Sequence, residues 1–227
     1  MKARSLILVS LLYAAGCSQG VVLAPPPEAD ISFDGLVRVE SSKIQNVWIN
    51  PDVDLAHYSR FLLDDIDLEF RVPRRDESSV SRVREFPLSD DDKRSLTEVA
   101  GRTFGDELGQ SEYLVRTDVP GPDVLRIHVR LTDIVALAPS EPDPNRNIDA
   151  ASMSEGFVSS VGEATLVGEF FDSTTGGIVA RVVERRTAKQ AVGGIHASRA
   201  NNWLEVVPGF QRWAGIIRDD MDAIHDL

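Results

Sequence analysis

The chain of 227 residues contains a single cysteine, Cys17, so it cannot form a disulfide bond within itself. It also lacks any run of roughly 20 apolar residues, the length that a membrane-spanning helix requires. Basic residues are in the minority, with 24 Lys and Arg against 36 Asp and Glu, which gives a net charge of -12. This acidity argues against a general nucleic-acid binder, because phosphate backbones repel it. With 42% hydrophobic residues, the composition still favours a globular domain with a core.

The common catalytic motifs are also missing. The sequence contains neither the G-x-S-x-G turn of many hydrolases nor the G-x-x-x-x-G-K-[ST] loop that binds nucleotide phosphates. No histidine lies in an H-x-x-x-H or H-E-x-x-H pattern, so a zinc enzyme is poorly supported; the histidines are His57, His128, His196 and His225. We therefore expect no catalytic residue, no metal and no cofactor, and we expect His128 to be solvated rather than a metal ligand.

The first residues have the order of a secretory leader. Lys2 and Arg4 form a positive start, a short apolar stretch from Leu6 to Leu12 follows, and small residues precede Cys17. A structural or metal-binding thiol would not need a leader directly before it. We therefore predict that the Cys17 thiol is the site of lipid attachment, with an ordinary cleaved signal and an incidental cysteine as the alternative.

The segment Ala14-Ala15-Gly16-Cys17 resembles the lipobox of bacterial lipoproteins. That resemblance implies cleavage between Gly16 and Cys17, a diacylglyceryl group on the Cys17 thiol, and a third, palmitate-type acyl chain on the new N-terminus. Ala14 stands where these proteins usually have Leu. Ser18, rather than an aspartate, follows the cysteine, and in lipoproteins this implies sorting to the periplasmic face of the outer membrane. The acyl chains suffice for stable anchoring in a membrane.

Cleavage would leave 211 residues with a net charge of -14 and three consecutive regions in the precursor. Residues 1–16 are predicted to be the signal peptide. Residues 17–42, with Pro25, Pro26 and Pro27, have no sustained apolar period and are predicted to be the lipidated tether. Residues 43–227 are predicted to form a single globular domain.

Periodicity predicts the main elements of that domain. Apolar and polar residues alternate within Tyr58 to Phe70, from Val124 to Val135, from Glu163 to Phe171 and from Ile178 to Thr187, which favours strands. Glu112 to Arg116 is a shorter candidate strand. Ser89 and the acidic residues after it favour a helix that ends at Gly109, and a second helical face follows Asn201 with Pro208 in its first turn.

This order predicts an α/β (α+β) fold of two layers. A mostly antiparallel mixed sheet would bury one face under the two amphipathic helices, since no other predicted element can cover it. Parallel pairing is expected between the strands on either side of the first helix.

Several polar groups are candidates for binding, and each has a plainer explanation. The arginine-rich segment from Arg71 to Arg84 could bind lipid phosphates or an acidic partner, or be a solvated loop. The oxygen-bearing series Glu141, Asp143, Asn145, Asn147 and Asp149 imitates a calcium loop. However, Arg146 and Ser152 replace the glycine and glutamate that such a loop needs, which favours a polar loop. Trp203 and Trp213 are expected to pack in the core.

Several short segments resemble an uncharacterised family of bacterial lipoproteins, described only as a domain of unknown function. They are the leader with Cys17, Trp48 to Pro51, Gly121 to Leu125, Asp172 to Gly176, and Trp203 to Ala214. Glu184 departs from the aspartate expected before Arg185 and Arg186. The resemblance implies an envelope location and a similar fold, but no activity.

The sequence therefore predicts a non-enzymatic accessory or assembly factor, anchored in the outer membrane, that binds another envelope component. One alternative is an envelope hydrolase with carboxylates distant in sequence, such as Asp133 and Glu163. Another is a carrier of a small ligand or lipid, which would need an apolar cavity of several hundred cubic ångströms, on the order of a ligand pocket.

Overall fold

A computed structural model describes residues 31–40, 43–73, 85, 87–136, 157–158, 162–187, 195–196 and 199–226. These residues form two α-helices, one short 3-10 helix and two β-sheets. The elements in chain order are β1 (Val37–Val39), β2 (Asn46–Ile49), a short 3-10 helix (Leu55–His57), β3 (Arg60–Leu63), β4 (Asp67–Phe70), α1 (Asp90–Leu108), β5 (Val115–Arg116), β6 (Val124–Ala136), β7 (Phe157–Val158), β8 (Gly162–Asp172), β9 (Ile178–Thr187), β10 (Ile195–His196) and α2 (Arg199–His225).

The main sheet has eight strands and mixed directions. Its order is β1-β2-β9-β8-β6-β3-β5, and β4 also pairs with β6, while β7 and β10 form a separate two-stranded sheet. The three long strands β6, β8 and β9 are antiparallel neighbours. β3 and β4 lie parallel to β6, one along each half of it. The predicted parallel pairing across α1 is therefore confirmed.

Helix α1 begins and ends where the sequence predicts. The Ser89 hydroxyl accepts a hydrogen bond from the Asp92 amide, and three aspartates lie in the first turn, where the helix dipole favours negative charge. Leu96, Ala100 and Phe104 recur at helical spacing and are buried against the sheet. Gly109 is the residue at which the helix ends.

Helix α2 begins earlier than predicted, and Pro208 lies inside it rather than in its first turn. Proline has no amide hydrogen to donate, so it normally marks a helix start or a break. The apolar stripe beyond it carries the helix through this position, since Phe210, Trp213 and Ile217 are all buried. Tertiary packing thus outweighs the local preference.

The strand predicted up to Phe70 is two shorter strands, and β1 and β2 have no counterpart among the predicted strands. Each of the four has only three or four residues, too few for a clear alternation. β1 also lies within the stretch assigned to the tether. It pairs with β2, and Leu36 just before it is fully buried, so the sheet starts before Lys43.

The core fills the space between one face of the sheet and the two helices, which confirms the predicted two-layer α+β sandwich. Ile127, Val129 and Leu131 of β6 face it, together with Phe104 of α1 and Phe210 of α2. A ligand carrier would need a cavity in this layer, but the described interior is occupied by contacting side chains. No helix in the described ranges is both long and apolar enough to cross a bilayer.

Candidate functional site

The sheet face turned away from the helices carries a row of long polar and aromatic side chains. We call it the open face. The row crosses five strands through directly paired residues: Arg38 (β1), Trp48 (β2), Arg181 (β9), Glu169 (β8) and His128 (β6). Paired residues in a sheet point to the same side, so these five side chains are neighbours in space. Their sequence neighbours Ile127, Val129 and Val182 are buried on the opposite side.

Arg181 is the most highly bonded member of the row. Its Nη2 lies 2.5 Å from Asp34 Oδ2, and its Nε donates to Glu169 Oε1 at 3.0 Å. The hydrogen bond to Asp34 raises the pKa of Arg181, and the same bond lowers the pKa of Asp34. Phe33 covers the guanidinium, with its ring centroid 5.4 Å from Arg181 Cζ. The turn that contains Phe33 and Asp34 thus starts at the edge strand β1 and is fixed to β9 through Asp34.

His128 lies at the other end of the row, between two aspartates. Its Nδ1 is 3.4 Å from Asp64 Oδ2 and its Nε2 is 3.4 Å from Asp67 Oδ2. Arg126 and Arg130 flank it on the same strand, where Arg126 Nε donates to Asp64 at 2.9 Å. The outward position agrees with the sequence prediction for His128. The charges around it alternate in sign across the open face.

A shallow cleft opens beside Arg181. Ser32, Phe33, Trp48 and Arg181 line a space of about 250 Å³. Two aromatic rings and a guanidinium offer flat surfaces, while the Ser32 hydroxyl already bonds to Asp34 Oδ1 at 2.6 Å. The cleft suits contact with a side chain or a lipid segment better than enclosure of a whole substrate.

The carboxylates named for the hydrolase alternative, Asp133 and Glu163, meet at one ionic cluster further along the open face. Arg71 Nη1 donates to both oxygens of Asp133 at 3.0 Å, and Arg71 Nη2 lies 2.6 Å from Glu85 Oε1. Arg185 Nη2 donates to Glu163 Oε2 at 2.9 Å and lies 4.0 Å from Asp133 Oδ2. We call these five residues the Arg71 cluster.

Backbone geometry places Asp133 in this cluster. Its φ of 57° falls in the left-handed region, which few residues other than glycine adopt, and the pairing of β6 with β8 shifts register there. This bulge lets the Asp133 side chain reach Arg71. Arg71 and Glu85 in turn join the two ends of the arginine-rich segment. Arg71 is therefore bound in ion pairs rather than solvated. The rest of the arginine-rich segment, residues 74–84, lies outside the described residues.

A second polar group lies at the end of the sheet, around the β8–β9 hairpin. Asp172 Oδ1 accepts from the amides of Thr174 and Thr175 at 3.0 and 2.7 Å, and these bonds lower the pKa of Asp172. Asp172 Oδ2 accepts from the Tyr58 hydroxyl at 3.2 Å. Gly176, with a φ of 69°, completes the turn. This group fixes the hairpin to Tyr58, which lies between the 3-10 helix and β3, and it has a structural role.

The other histidines in the described part have structural contacts. His57 Nε2 lies 3.1 Å from the Pro122 carbonyl. His225 Nε2 lies 2.8 Å from the Tyr58 carbonyl, and its ring stacks on Tyr113. In the described ranges no group of three or more His, Cys, Asp and Glu is arranged to hold a metal.

Glu184 and Trp213 are buried on the helix side of the sheet. Glu184 Oε1 accepts from the Arg186 guanidinium, while Glu184 Oε2 and Trp213 Nε1 have no hydrogen-bond partner. Trp213 thus packs in the core as predicted. Other candidates lie outside the residues whose side chains are described: Cys17, the series from Glu141 to Asp149, His196 and Trp203.

Sequence reasoning missed the central part of the open face. Arg181 and Glu169 are ordinary members of alternating strands, and only the register of β8 with β9 makes them partners. Trp48 belongs to one of the short resembling segments, but the sequence assigns it no role. Nothing in a single sequence specifies this register, because many pairings of the same strands keep the apolar face inward.

The fold is distantly similar to three solved structures, all 10% identical to this chain. The PelC dodecamer from Paraburkholderia phytofirmans has a TM-score of 0.31, with 73% of this chain and 96% of that chain covered. A putative neuraminyllactose-binding hemagglutinin homologue from Helicobacter pylori has a TM-score of 0.40, with 74% and 86% covered. Protein XCC0632 from Xanthomonas campestris, of family DUF330, has a TM-score of 0.39, with 72% and 87% covered. Likenesses this distant carry no functional argument.

No curated protein matches the chain. The family model described as "Protein of unknown function (DUF3313)" matches residues 29–217, which includes the main sheet, α1 and the part of α2 up to Ile217. The protein therefore belongs to this uncharacterised family.

Proposed function

We propose that the protein is a lipid-anchored lipoprotein on the periplasmic face of the outer membrane. In this proposal it is a non-enzymatic accessory or assembly factor that binds another envelope protein through the open face. The row from Arg38 to His128 is the observation that carries the binding role. The segment before Cys17 supports the anchor, because the small residues and the single cysteine match the requirements of lipoprotein processing.

The chemistry of the open face favours a protein partner with charges of both signs. Arg126 and Arg130 are exposed, Asp67 lies beside them, and Trp48 adds an aromatic surface at the other end of the row. Protein interfaces combine aromatic and arginine residues at their centres with charged rims. The ion pairs already present hold the long side chains in place, so less conformational entropy is lost on binding.

Site-specific photo-crosslinking in cells tests this role. A photoreactive residue at Arg130, exposed on the open face, should give an adduct with one exported protein. The same residue at Glu98, exposed on α1, is the matched control and should give none. Arg130→Glu should weaken the complex, since it reverses a charge at the proposed interface. Equal adducts from both positions, or none from either, would contradict the proposal.

The hydrolase remains a second candidate because Asp133 and Glu163 contact the same two guanidinium groups. A hydrolase of this kind would use the two carboxylates as acid and base on a bound substrate. Purified protein incubated with isolated cell wall, or with phospholipid vesicles, measures this directly. Product release that disappears in Glu163→Gln would favour the enzyme, whereas we expect no release from either protein.

A further inference from the structure

The turn from Ile31 to Val37 presents two large apolar side chains at one edge of the sheet. Phe33 is 94% exposed and Ile31 is 64% exposed. Two large apolar side chains exposed within three residues form a small apolar patch, and exposed apolar patches mark binding surfaces.

This turn has a defined structure. The Ser32 amide donates to the Leu36 carbonyl at 2.8 Å, and the Ser32 hydroxyl accepts from the Leu36 amide at 2.9 Å. Gly35, with a φ of 84°, allows the tight reversal, and Asp34 is paired with Arg181. Leu36 is fully buried beneath it. The fold therefore fixes the backbone of the turn, which keeps the Phe33 side chain exposed.

The position of the turn relative to the anchor indicates what it contacts. Ile31 follows Cys17 by 14 residues, a length that reaches at most about 50 Å when fully extended. The turn is the first described part of the chain after the predicted lipid, and it adds to the outer edge of the sheet through the bridge between Ile31 and Val37. This edge is consequently the one closest along the chain to the bilayer.

We propose that Ile31 and Phe33 contact the phospholipid surface and orient the domain on the membrane. The inference rests on the proposed lipid anchor at Cys17. Apolar side chains such as Ile and Phe leave water for the boundary between headgroups and acyl chains, where their burial is favourable. A net charge of -14 for the mature chain repels anionic lipid, so an apolar contact near the anchor sets which side of the domain faces the membrane.

A fluorescent label at residue 33 tests the contact in the lipidated protein. Phe33→Cys, labelled with an environment-sensitive thiol-reactive dye, is reconstituted in phosphatidylethanolamine and phosphatidylglycerol vesicles that carry nitroxide acyl chains. Val119→Cys is the matched control, because Val119 is 66% exposed and follows β5 at the opposite edge of the sheet. We expect a blue shift and loss of fluorescence at 33 and neither change at 119.

Two further outcomes separate the failure of this inference from failure of the anchor. Wild-type protein should resist the dye, because lipid occupies its only thiol; labelling of wild-type Cys17 would contradict the anchor instead. In protein that resists the dye at Cys17, equal quenching at 33 and 119 would overturn the membrane contact. A blue shift that increases with protein density, without quenching by the nitroxide chains, would also overturn the membrane contact. In that case a second copy of the protein would cover the turn.

Discussion

At the scale of single residues, the described charged groups act mainly by holding strands and turns together. Arg181 joins the N-terminal turn to β8, Arg71 joins two ends of a loop to β6, and Asp172 ties the hairpin to Tyr58. Each connects residues far apart in sequence. The contribution of each residue to stability can be measured by replacing its side chain with one of similar size that lacks the charge or the hydroxyl.

Tyr58 should make stability depend on alkaline pH. Burial raises the pKa of Tyr58 to about 12 from an ordinary value of 10.0, with nearby Asp172 adding to the shift. A raised folded-state pKa stabilises the fold fully below the unfolded value, and this stabilisation is lost as the pH rises through the window from 10 to 12. Wild type should therefore lose roughly 1–3 kcal/mol more than Tyr58→Phe across that window.

Urea unfolding of both proteins at a series of pH values measures the difference. Absorbance of tyrosinate gives an independent reading: Tyr58→Phe should remove one late-titrating tyrosine and leave Tyr113, whose pKa is also raised by its hydrogen bond to Asp226. Parallel pH profiles for the two proteins would show that the hydroxyl carries no such linkage.

Arg71 should be important for stability. Its side chain is 16% exposed and that of Glu85 is 13% exposed, so Arg71→Met leaves Asp133 and Glu85 without this partner in a partly buried place. We expect the free energy of unfolding to fall by about 1–3 kcal/mol. Arg94→Met is the control, because its pair with Asp91 is 70% and 75% exposed and should contribute less than about 1 kcal/mol. Equal losses in urea unfolding would contradict this account.

At the scale of elements, local signals decide some boundaries and tertiary packing decides others. Helix α1 has a capping residue, an acidic first turn and a terminal glycine, and all three agree with its observed limits. Helix α2 passes through Pro208 because its apolar face is needed to cover the sheet. The start of α1, rather than that of α2, is therefore the place to test whether a capping residue in the sequence determines where a helix begins.

Ser89→Ala should destabilise the protein through α1. The Ser89 hydroxyl accepts from the Asp92 amide at 3.1 Å and donates to Asp92 Oδ2 at 2.7 Å, and alanine can do neither. We expect a loss of about 1 kcal/mol in the free energy of unfolding. Ser89→Thr keeps a hydroxyl at the same position and should recover most of it. A loss in the threonine variant as large as in the alanine variant would argue against a capping effect.

The sequence predicts the long elements well and the short ones poorly. β6, β8, β9 and α1 each contain enough residues for a period of two or of 3.6 to be recognised. β1, β2 and β3 are held mainly by their neighbours, and their three or four residues carry little pattern of their own. The candidate site is predictable to a similar extent, because its contacts depend on how the strands pair. Asp133 and Glu163 could be named as distant carboxylates, but the arginines that join them depend on the bulge in β6 and on strand register.

At the scale of the whole molecule, the two faces of the sheet have different roles. One face packs on the helices and supplies the hydrophobic core, and the other carries the row from Arg38 to His128 and the Arg71 cluster. The edge with Ile31 and Phe33 lies nearest along the chain to Cys17. In the proposed function, lipid fixes one edge near the membrane while the open face remains available to a partner.

The anchor is the central claim, and the fate of Cys17 tests it most directly. Wild-type protein and Cys17→Ser are labelled with a radioactive fatty acid in cells and separated by detergent phase partition. We predict label and detergent partition for the processed wild type, and an unlabelled, uncleaved precursor for Cys17→Ser, since a hydroxyl is a far weaker nucleophile than a thiol. Equal label and equal detergent partition in the two proteins would contradict the lipid anchor and the outer-membrane location that depends on it.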